Sequence, residues 1–180
     1  MSTVEQTIPT GTWKLDPIHS TVGFSVRHLG VSTFRGSFRD FDAQLSYGED
    51  GPRLAGTARV DSVDVRDENL NAHLLSPDFF DAERNPEIRF EATRVSADGG
   101  DVTVEGDLTI KGITRPVTAR GNITEPGADM AGGQRIGVGL ETVVDRKEFG
   151  LEWNADLPGG GVAVGDEVTL SVHLELVKEA

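Results

Sequence analysis

Val102-Thr103-Val104-Glu105-Gly106-Asp107-Leu108-Thr109-Ile110-Lys111-Gly112-Ile113-Thr114-Arg115-Pro116-Val117-Thr118-Ala119-Arg120-Gly121-Asn122-Ile123 is the stretch that decides the fold class. Val102, Val104, Gly106, Leu108 and Ile110 alternate with Thr103, Glu105, Asp107 and Thr109, the period of two that puts successive side chains on opposite faces of a strand. Lys111-Gly112 reads as a tight turn. The return strand carries Ile113, Val117, Ala119, Gly121 and Ile123 against Thr118, Arg120 and Asn122. One face of this hairpin is apolar and the other is wet.

The same pattern extends in both directions. Val22, Phe24, Val26 and His28 share a face opposite Thr21, Gly23, Ser25 and Arg27. Phe41, Ala43, Leu45 and Tyr47 are out of phase with Phe34, Gly36 and Phe38, which predicts a bulge near Arg39-Asp40. Leu54, Gly56, Ala58 and Val60 follow, then Ile88, Phe90 and Ala92. Ile136, Val138, Leu140, Thr142 and Val144 make another strand, and Val168, Leu170, Val172, Leu174 and Leu176 the last. This gives about eight long strands. Only the stretch from Ser62 to Asp81 breaks the pattern, with a short helical patch over residues 67–81 and the aromatic pair Phe79-Phe80.

The polar faces include Arg89, Glu91, Glu105, Asp107 and Arg120. A membrane barrel would be apolar on that side. Long edge strands invite aggregation, and closing the sheet removes them. The expectation is an all-β, eight-stranded antiparallel barrel of lipocalin type, capped by the helical insertion; a two-sheet sandwich is the second choice. Gly56, Ala58, Ala92, Gly106, Ala119 and Gly121 occupy apolar-face positions where a filled barrel wants bulk. They leave room for a void, or else lie where backbones crowd.

The chain has 180 residues, enough for one domain, and residues 12–178 are expected to form it after a flexible segment at 1–11. A net charge of −13 argues against nucleic acid and against an anionic membrane surface. There is no cysteine, hence no disulfide or thiolate chemistry. The polar N-terminus lacks a cationic and then apolar leader pattern, and no run of about 20 apolar residues exists. A cytoplasmic protein without a permanent membrane anchor is the expectation.

Four longer patterns carry a family resemblance. Trp13-Lys14-Leu15-Asp16-Pro17-Ile18-His19-Ser20 with Phe24-Ser25-Val26-Arg27-His28 resembles the opening of the YceI-like family. Asn71-Ala72-His73-Leu74-Leu75-Ser76-Pro77-Asp78-Phe79-Phe80-Asp81 with Pro86-Glu87-Ile88-Arg89-Phe90 is similar to its central signature. Gly106 to Val117 and Asp145-Arg146-Lys147-Glu148-Phe149-Gly150 resemble its later motifs, so the likeness runs in order over residues 12–177. The resemblance implies a lipocalin-like barrel whose pore binds a polyisoprenoid, either a polyprenyl chain or an isoprenoid quinone. It implies no catalysis with a cofactor. Many members of the family carry a secretion signal and act in the periplasm, which this chain's N-terminus does not match.

On this reading the pore is lined by Phe24, Val26, His28, Phe38, Ala58, Phe90 and Val104 on the first strands. Leu108, Val117, Ala119, Val138, Leu140, Leu170 and Val172 line it on the later ones. His28, at the end of its inward series, is a candidate for a quinone carbonyl or pyrophosphate oxygen, or a structural histidine. Arg146 is a candidate for an anionic head group, or an ion pair holding a loop to the barrel. His19 after Asp16-Pro17 reads as turn chemistry, His73 as a cap on the pore or a packing residue, and His173 as surface. Trp13 and Trp153 read as closing barrel ends. No histidine pair has ligand spacing for a metal, Asp61, Asp64 and Asp67 lack the rest of a calcium loop, and there is no nucleophile elbow. The function expected is non-catalytic carriage or storage of an isoprenoid lipid, loaded through an opening gated by residues 66–82. The rivals are an enzyme or accessory protein of isoprenoid or quinone metabolism, and a filled interaction module, with a homodimer through an edge strand conceivable.

Overall fold

The structure, a computed structural model, describes residues 8–180. In chain order the strands are β1 (Gly11–Leu15), β2 (Thr21–His28), β3 (Ser32–Phe38), β4 (Phe41–Gly48), β5 (Gly51–Arg59) and β6 (Val63–Asp64). The helix α1 (Glu68–Leu75) precedes β7 (Glu87–Asp98), β8 (Asp101–Ile110), β9 (Ile113–Ile123), β10 (Gly127–Ala128), β11 (Gln134–Asp145) and β12 (Val164–Lys178). Residues 1–7 of the expected flexible segment lie outside the described residues. Its other end is not free: Ile8 is buried among core residues and Gly11 already begins β1.

Among the described residues, eleven of the twelve strands make an eight-stranded barrel because three barrel strands are each broken once; the two-residue β10 only flanks the start of β11. β1 pairs with β4 and β2 with β3, while β12 pairs with both β1 and β2 along one edge. β5 pairs with β4, and β6 with β3. β1–β2, β3–β4 and β5–β6 are therefore three continuous staves. β7, β8, β9, β11 and β12 supply the other five, and the β11–β12 ladder closes the ring. All pairings are antiparallel.

The three breaks form one belt. The first is the 3-10 turn Pro17–His19, the second is Arg39-Asp40 and the third is the 3-10 turn Val60–Ser62. Asp16 caps the first turn by accepting from the Ile18 amide, and Ser20 Oγ donates to the Asp16 carbonyl. The Arg39 amide donates to the Ser62 carbonyl and the Arg59 amide to the Asp40 carbonyl, at 3.1 and 2.8 Å. The backbone groups freed by the bends thus satisfy one another. The slip in phase at Arg39-Asp40 corresponds to the middle break.

On either side of the belt the interior differs. At one end Trp13, Val104, Ile136 and Leu176 are at most 1% exposed and pack with Leu45, Leu54, Val102 and Leu174. This end is solid. Toward the other end, apolar residues of the wall meet α1 and the segments around Phe79-Phe80 and Phe149–Leu151.

The wall at that second end is incomplete in two places. β3 has a partner on its outer side only at Ser37 and Phe38, so its first residues present a free edge. β9 and β11 pair only from Ile123↔Val138 to Arg120↔Glu141, then splay apart. Pro116, which has no N–H to offer, lies in the part of β9 without a β11 neighbour. Thr142 Oγ1 donates to the Thr118 carbonyl at the fork, and the 3-10 turn Arg146–Phe149 covers the gap with the buried Phe149.

Candidate functional site

Two apolar cavities lie inside the barrel, one behind the other. The outer one, of about 680 Å³, is enclosed by the ends of β2, β3, β11 and β12 and by the lid residues Leu70, Leu74, Phe79, Phe80 and Leu151. The inner one, of about 170 Å³, lies deeper among Ala43, Gly56, Ala58, Phe90, Ala119, Leu140 and Val172. Phe38, Ile88, Ile110 and Leu170 line both. The outer volume falls in the range of small-molecule sites, and the inner one matches cavities that stay dry and accept an apolar guest. These cavities set aside the filled-core alternative.

The strand pattern found most of this wall. Phe24, Val26, His28, Phe38 and Leu170 border the outer cavity. Ala58, Phe90, Leu108, Val117, Ala119, Leu140 and Val172 border the inner one. Val104 and Val138 do not: they point inward but below the cavity, where the solid end packs. Of the six small residues, Gly56, Ala58 and Ala119 border the void. The other three take the crowded alternative. The Phe90 ring lies over Gly106, where a Cβ would come within 2.6 Å, and Ala92 packs into the solid end. At Gly121 a Cβ would collide with the Gly139 carbonyl oxygen of β11, so glycine is required for the strands to meet.

The helical cap expected over residues 67–81 contains α1, which is shorter than that patch. Asp67 caps α1 by accepting from the Leu70 amide at 2.8 Å, which fixes where the helix begins. Arg66 and Asp81 have φ of 62° and 49°, so left-handed backbone brackets the lid on both sides. His73 Nε2 lies 3.0 Å from Asp78 Oδ2. Its ring stands edge-on to Phe79 and Trp153, with centroids at 5.0 and 4.7 Å. One side chain thereby joins α1, the following turn and the loop after β11. Lys111 Nζ donates to the carbonyls of Pro77 and Gly150 at 2.9 and 3.2 Å and ties the same segments to the β8–β9 turn. Leu151, Trp153, Phe79 and Phe80 escaped the sequence reading as wall residues because none belongs to a strand.

Arg146 is not placed as a free head-group ligand. It is 5% exposed, and its guanidinium donates to four carbonyls, those of Gly165, Leu151, Trp153 and Val164. The closest carboxylate, Asp166, is 3.9 Å away. Burial lowers its pKa, opposed by the charges of Asp166 and Asp145. Arg146 is thus a clamp that closes the 150–165 loop onto the barrel mainly through carbonyls, with the long ion pair to Asp166 beside them, and it also borders the outer cavity. His28 stands exposed at the mouth, beside Arg27, Ser32, Thr33, Asp67 and Ala163. The mouth is polar and the interior is not.

A separate charged cluster braces the outside of the solid end. His19 Nδ1 lies 2.8 Å from Asp16 Oδ2 and 3.3 Å from Glu175 Oε2. Arg135 Nη1 sits on the same two oxygens at 2.6 and 2.8 Å, and Arg135 Nε lies 3.2 Å from Asp129 Oδ2. A guanidinium therefore occupies the position in which these three ligand types would otherwise hold a cation. The His19 and Arg135 hydrogen bonds hold the Asp16 carboxyl well below the usual carboxylate range, and Asp16 in turn raises His19. His19 is structural, as turn chemistry predicts. His173 is exposed on the outer face.

Comparison with known proteins agrees with this geometry. The YceI-like domain matches residues 13–176. Protein YceI of Escherichia coli O17:K52:H18 is 35% identical over 164 residues, covering 89% of this chain and 83% of the relative. Among solved structures, BcnA of Burkholderia cenocepacia superposes with a TM-score of 0.73 at 26% identity, over 89% of this chain and 98% of that one. A polyisoprenoid-binding domain from Saccharophagus degradans shares the fold at 14% identity with a TM-score of 0.70, over 93% of this chain and 98% of that one. No helix among the described residues is long and apolar enough to cross a membrane.

Proposed function

This chain belongs to the YceI-like domain family, and we propose that it binds a long isoprenoid lipid without transforming it, as a carrier or reservoir. The observation that carries the reading is the pair of stacked apolar cavities, open at a polar mouth and sealed by a solid floor. The tail of a polyprenyl chain or isoprenoid quinone occupies the lumen, and its head group stays at the mouth near His28 and Arg27. Each buried CH₂ contributes about 0.8 kcal/mol, so a few isoprene units already supply several kcal/mol before ordering costs are subtracted. The polyisoprenoid-binding domain with the same fold supports this ligand class. An apolar wall offers shape rather than directional contacts, so selection among lipids falls on tunnel depth and on the few polar groups at the rim.

Native mass spectrometry of gently purified protein, followed by organic extraction, tests the reading. It predicts an excess mass that leaves into solvent as an isoprenoid. Protein that is consistently empty and takes up neither polyprenol nor quinone from detergent contradicts it.

A further inference from the structure

The hairpin that joins β2 to β3 breaks a local rule. Leu29 and Gly30 are its central residues, with φ of 53° and 70°, and the Val31 amide donates to the His28 carbonyl across the turn. Such a turn favours Asn-Gly or Asp-Gly, because a branched side chain crowds the backbone at positive φ. Here the position holds a leucine that is 40% exposed, followed by Val31 at 77%. The Leu29 amide donates to the Ala163 carbonyl at 2.8 Å, which brings Val162, 43% exposed, to the same place. None of the three joins either core cluster. A polar turn would suit this backbone and be better hydrated, and a local conflict of this kind points to function.

Location supplies the function. His28, Ser32, Ala163 and Val164, the immediate neighbours of the three apolar residues, border the mouth of the outer cavity. Ile18 and Met130 are even more exposed, at 86% and 107%, but belong to the turn and loop of the Asp16–Arg135 cluster at the solid end. We propose that the Leu29-Val31-Val162 tip is a docking site for the surface of an electrically neutral lipid bilayer. There it dips into the interface and sets the mouth against the hydrocarbon from which cargo is drawn. The net charge of −13 selects a zwitterionic surface over an anionic one, since the chain as a whole is repelled by the latter. Three small apolar side chains give weak, reversible attachment rather than anchoring. The cargo step rests on the lipid-binding reading; the docking step does not.

The test is flotation of the full chain with cargo-free phosphatidylcholine vesicles, comparing wild type with Leu29→Asn/Val31→Ser/Val162→Ser. The expected loss in vesicle affinity is about tenfold or more, with a melting temperature equal to or above wild type because Asn suits the turn. Ile18→Ser/Met130→Ser is expected to float as wild type does. A wild type that does not associate with phosphatidylcholine, or a triple variant that associates equally well, overturns the proposal. Loading with an isoprenoid quinone from detergent, where no bilayer is needed, is expected to be unchanged in the triple variant. Failure of that loading in wild type as well removes the lipid-binding reading while leaving the flotation result to stand or fall alone.

Discussion

The two ends of this barrel are built from the same alternating strands, yet one is solid and the other hollow. At the solid end large side chains face one another: Trp13 from β1, Val104 from β8, Ile136 from β11 and Leu176 from β12, all essentially without solvent exposure. Above them, Ala43, Gly56, Ala58 and Ala119 come inward at the corresponding positions, and the inner cavity opens. Farther up, the wall itself is interrupted at β3 and between β9 and β11, and α1 with the 150–165 loop takes its place. Stability is thus concentrated at one end and capacity at the other. An empty apolar cavity forfeits the dispersion contacts its lining would otherwise make, which a bound hydrocarbon restores.

That division makes unequal demands on substitutions. The largest effect is expected at the floor. Trp13→Ala should cost about 3–5 kcal/mol in denaturant unfolding, as deletion of a large buried side chain does. A cost of less than half of that would show that the solid end does not carry the fold. Next comes the clamp. Arg146→Met removes a donor from four carbonyls, of which Val164 still accepts from Asn154 Nδ2, and should cost about 2–4 kcal/mol. Arg146→Lys should recover little, since an ammonium cannot reach all four. Full recovery by lysine would mean that charge, not the fork of donors, holds the loop.

Adding bulk distinguishes the regions more directly. Ala119→Leu fills the inner cavity and should raise stability by about 0.5–2 kcal/mol. Val104→Phe overfills the solid end and should lower it by about 1–3 kcal/mol. Equal signs for the two changes would erase the distinction between the ends.

The smallest effect is in pH. His19 has a raised pKa when folded, so its contribution is complete below about 6.5 and is lost as pH rises through the folded value. Asp16, held low, contributes above its ordinary pKa and loses that contribution as pH falls through the folded value. The melting-temperature difference between wild type and His19→Gln should therefore be larger at mildly acidic than at alkaline pH. A larger difference at alkaline pH would contradict the assignment.

Much of this was legible in the sequence because a strand's period reports its own inward face. The alternation from Val102 to Ile123 became β8 and β9, and the phase slip at Arg39-Asp40 became the break between β3 and β4. The wall residues found were those on strands. Depth along a strand is not encoded in its period, so Val104 and Val138 read as pore lining although they belong to the floor. Gly106 and Gly121 read like Gly56, because only tertiary structure lays the Phe90 ring over one and the β11 backbone against the other. Arg146 reads in the sequence as a head-group cation or an ion-pair partner, since its four carbonyl partners are groups that every residue carries. Leu151 and Trp153 had no periodic signal at all.

The most direct measurement is equilibrium loading of purified protein with a series of polyprenyl alcohols of increasing length. Affinity is predicted to rise with each added unit until the tail reaches the floor and then to level off, with the plateau arriving at a shorter chain in Ala119→Leu. Affinity that is absent, or that does not change with chain length, would contradict a hydrocarbon-binding lumen.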